Sequence, residues 1–249
     1  ILGNTNNKVV DRPFPNNVSF WWGDTTRVAR WQFLMQAREV HTRESFIEAQ
    51  LDTVSTAARG LLPLVGADLW FTGAAAPEGT PERLRQRALA LLAEWNGEMN
   101  ENLPEPLIYA AWMRALQERL IRDELGPLAD AYPQVEPLFI ERVYRNTGGA
   151  AVWCDVLQSA PVETCSDIAR MALDDAILWI GETYGTELES LRWGDAGPSG
   201  AGPDPDPELA RQHPAVHQRR RRHADARPDA RHRADALCQR PCGGLSRRL

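Results

Sequence analysis

Apolar positions recur at helical spacing through most of this chain. In "TTRVARWQFLMQAREV", Val28, Trp31, Leu34 or Met35 and Ala37 fall on one side of a helix that begins near Arg27, with Thr26 as its N-cap. "RESFIEAQLDTVSTAARGLL", which follows Thr42, puts Phe46, Gln50, Leu51, Val54 and Ala58 on one side. "TPERLRQRALALLAEWNG" is the clearest helix. Thr80 caps it, Pro81 takes the first turn and Gly97 ends it, while Leu84, Ala88, Leu91, Leu92 and Trp95 form its apolar face. "EPLIYAAWMRALQERLIRDELGP" predicts another helix, stopped at Gly126-Pro127. Residues 136–145 predict a short one, and "VETCSDIARMALDDAILWIGETYG" a last one with Ile168, Ala172, Ala176 and Trp179 inward. Residues 27–190 thus read as about six helices with loops, and no strand-like alternation survives. Residues 1–26 are rich in asparagine and proline and predict loop with short strand pieces.

Composition changes this picture at one place. The chain as a whole, 43% hydrophobic and 25% charged, has ordinary globular usage. It contains no apolar run of about eighteen residues, so no membrane-spanning helix is expected. From Gly194 onward, however, there is no Phe, Tyr, Trp, Ile, Met, Asn, Thr or Lys. The net charge of −6 conceals a matching asymmetry, with eleven arginines against three aspartates in residues 211–249. Such a segment cannot bury a core. It fits one reading of the whole chain, a helical binding module with an Arg-rich nucleic-acid-binding tail. His213 and His217, with Cys238 and Cys242, have the residue types of a zinc set, but their spacing is loose and no apolar residues support them.

Candidate chemistry is sparse. The chain has no G-x-S-x-G elbow, no phosphate-binding glycine loop and no dinucleotide fingerprint. Nothing in residues 27–190 assembles a nucleophile with its base. His41 falls at a helix junction and reads as a surface or capping residue. Cys154 and Cys165 read either as a disulfide or as two small buried hydrophobes. "GNTNNK" (residues 3–8) admits two readings: turn chemistry, which asparagine favours, or an amide N–H aimed at an oxyanion.

At Asn4-Thr5-Asn6-Asn7, Phe14-Pro15 and Trp22-Gly23, followed by Arg27-Val28-Ala29-Arg30, the sequence resembles the penicillin acylase family of N-terminal-nucleophile amidohydrolases. Further along, Gln50, Asp52, Ser55 and Ala58, the turn in "LLAEWNGEMN" and the segment "WCDVLQSAPVETCSDI" are similar to family elements in the same order. The resemblance covers residues 1 to about 196. It implies a mainly α piece of the large subunit: a loop or strand segment of the αββα core in 1–26, then the helical insertion region in 27–196. It implies hydrolysis of linear amides, of penicillin or N-acyl-homoserine-lactone type, through acyl transfer to an N-terminal nucleophile. Asn6 matches the family's oxyanion-hole asparagine, and Arg27 the arginine that supports it. The partners implied are a small amide substrate, the small subunit and the rest of the large subunit, with no nucleic acid and no membrane. The chain opens at Ile1 in mid-pattern, so the nucleophile is expected to lie outside it and the chain alone to be inactive. No cofactor is required. Some relatives bind structural calcium through a carboxylate near residues 16–18, where this chain has Asn16, Asn17 and Val18. The family's periplasmic or extracellular placement implies that Cys154 and Cys165 pair.

The resemblance also bears on the tail. Where the family continues Trp-Gly-x-x-His, this chain has Trp193-Gly194-Asp195-Ala196-Gly197. Codons compatible with residues 212–231 and 236–249, read one nucleotide later, yield family-like Gly-Gly-x-x-Thr and Tyr-Arg-x-Val elements. Residues 197–249 are therefore expected to be frameshifted, unselected and disordered.

Overall fold

The structure is a computed structural model and describes residues 5–8, 22–70 and 73–196. Among them the fold is mainly helical: seven α-helices, several 3-10 turns and a single isolated bridge, Val54 to Glu98. The expectations for residues 1–4 and 9–21, including Asn4 and the calcium-related positions 16–18, and for the tail 197–249 lie outside the described residues.

The two long helices form the centre. α5 (Glu105–Leu125) and α7 (Cys165–Tyr184) bury eleven and seven residues respectively and pack along each other. Trp112, fully buried on α5, donates its indole N–H to the Ala169 carbonyl on α7 at 2.9 Å. Leu116 and Leu120 of α5 and Ile168, Leu173 and Ile180 of α7 are buried in the same core cluster, each side chain contributing roughly 1.5–3 kcal/mol by leaving water. Trp179, expected inward, is only half-buried: the Arg114 guanidinium lies over its ring at 4.6 Å.

Around this pair stand α3 (Thr56–Val65), α4 (Pro81–Glu94) and α6 (Pro137–Tyr144). The start of α4 follows the sequence closely, since the Thr80 hydroxyl accepts from the Arg83 N–H and Pro81 occupies the first turn. Its end does not. The helix stops at Glu94, Trp95 is extended, and Gly97 sits in the following turn with φ +85°. Glycine is needed there twice over, because a Cβ would also meet Arg59 Cγ at 2.7 Å. α7 opens with a full capping box, in which Thr164 and Asp167 bond each other's backbone N–H. Cys154, at the end of a 3-10 segment, and Cys165, at the start of α7, form a disulfide with a Cα–Cα distance of 5.0 Å.

Two corrections concern the first helices. α1 (Thr26–Gln36) has Thr25, not Thr26, at its N-cap, and that side chain makes no capping bond. Asp24 serves instead: its Oδ1 accepts from the Thr26 N–H at 2.9 Å and from the Thr26 hydroxyl at 2.5 Å. The long helix after Thr42 is in fact two. α2 (Arg43–Leu51) ends at an extended Asp52, and Ser55 caps α3 afresh by accepting from the Ala58 N–H at 3.1 Å. Ser55 and Thr53 also bond the 97–99 strand-like turn, which the helix would forfeit. Because of this break Phe46, Gln50 and Leu51 are exposed, whereas Ala58 is buried in the core.

Candidate functional site

The described N-terminal residues 5–8 lie beside the start of α1. Asn7 does turn chemistry: its Oδ1 accepts from the Thr5 hydroxyl at 3.0 Å and its Nδ2 donates to the Lys8 carbonyl at 3.1 Å. Asn6 is different. Its backbone is left-handed, φ +63°, a conformation asparagine tolerates better than most residues. Its carbonyl accepts from the Gly23 N–H at 3.2 Å, which lashes the turn to the segment entering α1.

That lashing brings together the two residues matched to the oxyanion-hole asparagine and its supporting arginine, 21 positions apart. Arg27 donates from Nη1 to Asn6 Oδ1 at 3.2 Å. A guanidinium only donates, so it must face the amide oxygen, and the amide nitrogen then points to the opposite side. The asparagine is thereby oriented as a donor. A guanidinium on its oxygen also polarises the amide, which makes the N–H groups better donors to a negative oxygen.

A cleft of about 200 Å³ opens here, lined among others by Thr5, Arg27, Arg30, Trp31, Gln50 and Asp52. Arg30 lies one helical turn after Arg27 and meets Asp52 in a two-bond fork, Nε to Oδ2 at 2.9 Å and Nη2 to Oδ1 at 2.5 Å. The bond from Asp52 raises the Arg30 pKa further and keeps it cationic. Neither Asp24 nor the Arg30–Asp52 fork was assigned a role on sequence. The available signal was the pair of arginines three apart on one helix face.

The remaining candidates fall elsewhere. His41 joins α1 to α2: Nε2 lies 2.9 Å from the Met35 carbonyl, Nδ1 3.3 Å from the Ser45 hydroxyl, and the ring 5.3 Å from that of Phe46. It is a junction residue. Cys154 and Cys165 sit at the far side of the sequence pattern, against α6 and α7, and take no part in the cleft. Among the described residues no group of three or more His, Cys, Asp or Glu side chains converges as a metal site. No helix among them is long and apolar enough to cross a membrane.

Comparison with known proteins adds one family. The penicillin amidase family model matches residues 1–200. A search of curated proteins found no match.

Proposed function

Since the chain belongs to the penicillin amidase family, we propose that it supplies the oxyanion side of an amide-hydrolysing centre, with Asn6 as the donor and Arg27 as the residue that orients it. In this reading a nucleophile attacks the carbonyl carbon of a linear amide. The carbonyl oxygen becomes an oxyanion in the tetrahedral intermediate, and the Asn6 side-chain N–H donates to it. Collapse expels the amine and leaves an acyl-enzyme, which water then resolves. The nucleophile is not among the residues gathered at this cleft and would come from the intact enzyme. The single observation that carries the reading is the Arg27–Asn6 bond, which turns the amide donor end away from the arginine.

The same reading extends to substrate and placement. The substrate class is a linear amide of penicillin or N-acyl-homoserine-lactone type, and the enzyme works in an exported compartment, which the Cys154–Cys165 disulfide supports. The family match stops at residue 200, close to the change of composition near 194. That coincidence supports reading the later residues as out-of-frame sequence.

The test is Asn6→Ala in the intact amidase that contains this chain. Loss of an oxyanion donor should lower kcat by about 10²–10³-fold with an unchanged circular dichroism spectrum. An unchanged kcat would assign Asn6 to turn chemistry alone and sink the reading.

A further inference from the structure

The cleft holds a second arginine whose partner reaches it from another part of the fold. We propose that Arg30 and Asp52 are a positioning pair, setting where Arg27, and through it the Asn6 amide, stands in the site. The proposal rests on the reading of Asn6 and Arg27 given above.

α1 has little apolar grip of its own. Met35, near its C-terminal end, is its one buried residue. Phe33 on the same helix is 60% exposed. A helix held so loosely can turn about its axis or slide, and either movement carries Arg27 away from Asn6 Oδ1. A fixed point one turn beyond Arg27 prevents both.

Arg30 provides that point. Its fork to Asp52 uses two parallel N–H···O bonds, which fix the plane of the guanidinium as well as its distance. The two side chains are only 19% and 16% exposed, whereas the surface pair Arg38–Glu48 is 51% and 63% exposed. The fork is thus largely withdrawn from solvent, where an ion pair holds its geometry better than at the surface.

Asp52 is itself anchored. It begins the four-residue link between α2 and α3, and that link is bonded to the turn after α4. Ser55 donates its N–H to the Gly97 carbonyl at 2.8 Å, and Thr53 accepts from the Met99 N–H at 3.0 Å. Met99 is buried in the core. A polar path therefore runs from the core through Met99, Thr53 and Asp52 to Arg30, and one helical turn then separates Arg30 from Arg27.

The experiment compares Asp52→Asn, Asn6→Ala and the double variant in the intact amidase. A small displacement of an oriented group costs on the order of 10–10²-fold, so Asp52→Asn should lower kcat by that factor with KM nearly unchanged. In the Asn6→Ala background the same substitution should have no further effect on kcat, because the group it positions is gone. A purely structural residue would lower activity by the same factor in both backgrounds, and that additive result overturns the proposal. So does a wild-type kcat for Asp52→Asn where Asn6→Ala is impaired, which leaves the oxyanion reading standing. A wild-type kcat for Asn6→Ala removes the reading beneath it. Should Asp52→Asn fail to fold, as seen in its thermal melt, Asp52→Glu keeps the carboxylate and carries the same comparison.

Discussion

Two neighbouring carboxyls at the end of α5 take opposite parts. Asp123 Oδ2 accepts from the Leu157 N–H at 2.9 Å, while Oδ1 is buried with no N–H or hydroxyl donor of the described residues against it. The neighbouring Glu124 carboxyl, when protonated, can donate to the Asp123 carboxylate. Burial, then the bond to Asp123 and the charges of Asp123 and Asp155, push Glu124 up to about 7. Burial works against the charge of Asp123 as well, but the bonds from Glu124, Leu157 and the local backbone outweigh it and hold that carboxyl below its ordinary range. The sign for Glu124 follows from linkage. Its folded pKa exceeds the unfolded value of about 4.3, so the contribution is fully present below that pH and is lost as pH rises through about 7. Glu124 as a residue is exposed, so solvent screening leaves a fraction of the full shift, below about 1 kcal/mol. Glu124→Gln keeps a donor toward Asp123 and does not ionise. Its stability advantage in urea denaturation should therefore grow between pH 5 and pH 8; equal differences at both pH values would count against the shared proton. At this scale the sequence named Asn6 and Arg27 through a family motif, and the structure places the two side chains 3.2 Å apart. The sequence gave no role to Asp24, and it named Asp52 only as part of a motif, because the Arg30 partner comes from another helix 22 positions away and no local pattern shows it.

Helix ends were legible where cap chemistry stands alone. Thr80-Pro81 marks a start that a backbone N–H then confirms, whereas the Thr164–Asp167 capping box of α7 was not singled out in the sequence. The break between α2 and α3 was hidden because apolar residues keep helical spacing straight across it. Ser55 was the local sign of a new start, but its competing bond to Gly97 comes from 42 positions away and cannot be read locally. Pro63 lies inside α3 without ending it, since the buried face of Ala58, Leu61, Leu62 and Val65 outweighs one missing bond. The disulfide belongs to this scale too. It closes an 11-residue separation and ties the 3-10 segment packed on α6 to the first turn of α7. Replacing Cys154 and Cys165 by serine should cost about 2–3 kcal/mol, chiefly by freeing the unfolded chain. Denaturation of the oxidised, reduced and doubly substituted protein checks this. Coincident curves, or two free thiols after production in an oxidising compartment, would show that the pair contributes nothing.

Across the whole molecule burial is uneven. The helical class was legible from periodicity, but which helices would lie at the centre was not. α5 and α7 are apolar around much of their circumference, and that becomes meaningful only when neighbours are known. α1 and α2 bury one residue each, Met35 and Ser45, and leave Phe33, Phe46, Ile47 and Leu51 exposed, as is Val40 in the link between them. Opening free energy follows buried contact, so this corner should open on its own at a cost well below that of global unfolding. Amide hydrogen exchange should find α1 and α2 exchanging faster than α5 and α7 by orders of magnitude; uniform protection would show one cooperative unit. The cleft thus sits on the part of the molecule that lets go first. A molecule bound in the cleft against Arg27 and Arg30 would slow that exchange in proportion to its occupancy. Occupation of the cleft and the folding of its walls then form one equilibrium, and ligand affinity could be measured through the protection of α1 without watching any reaction.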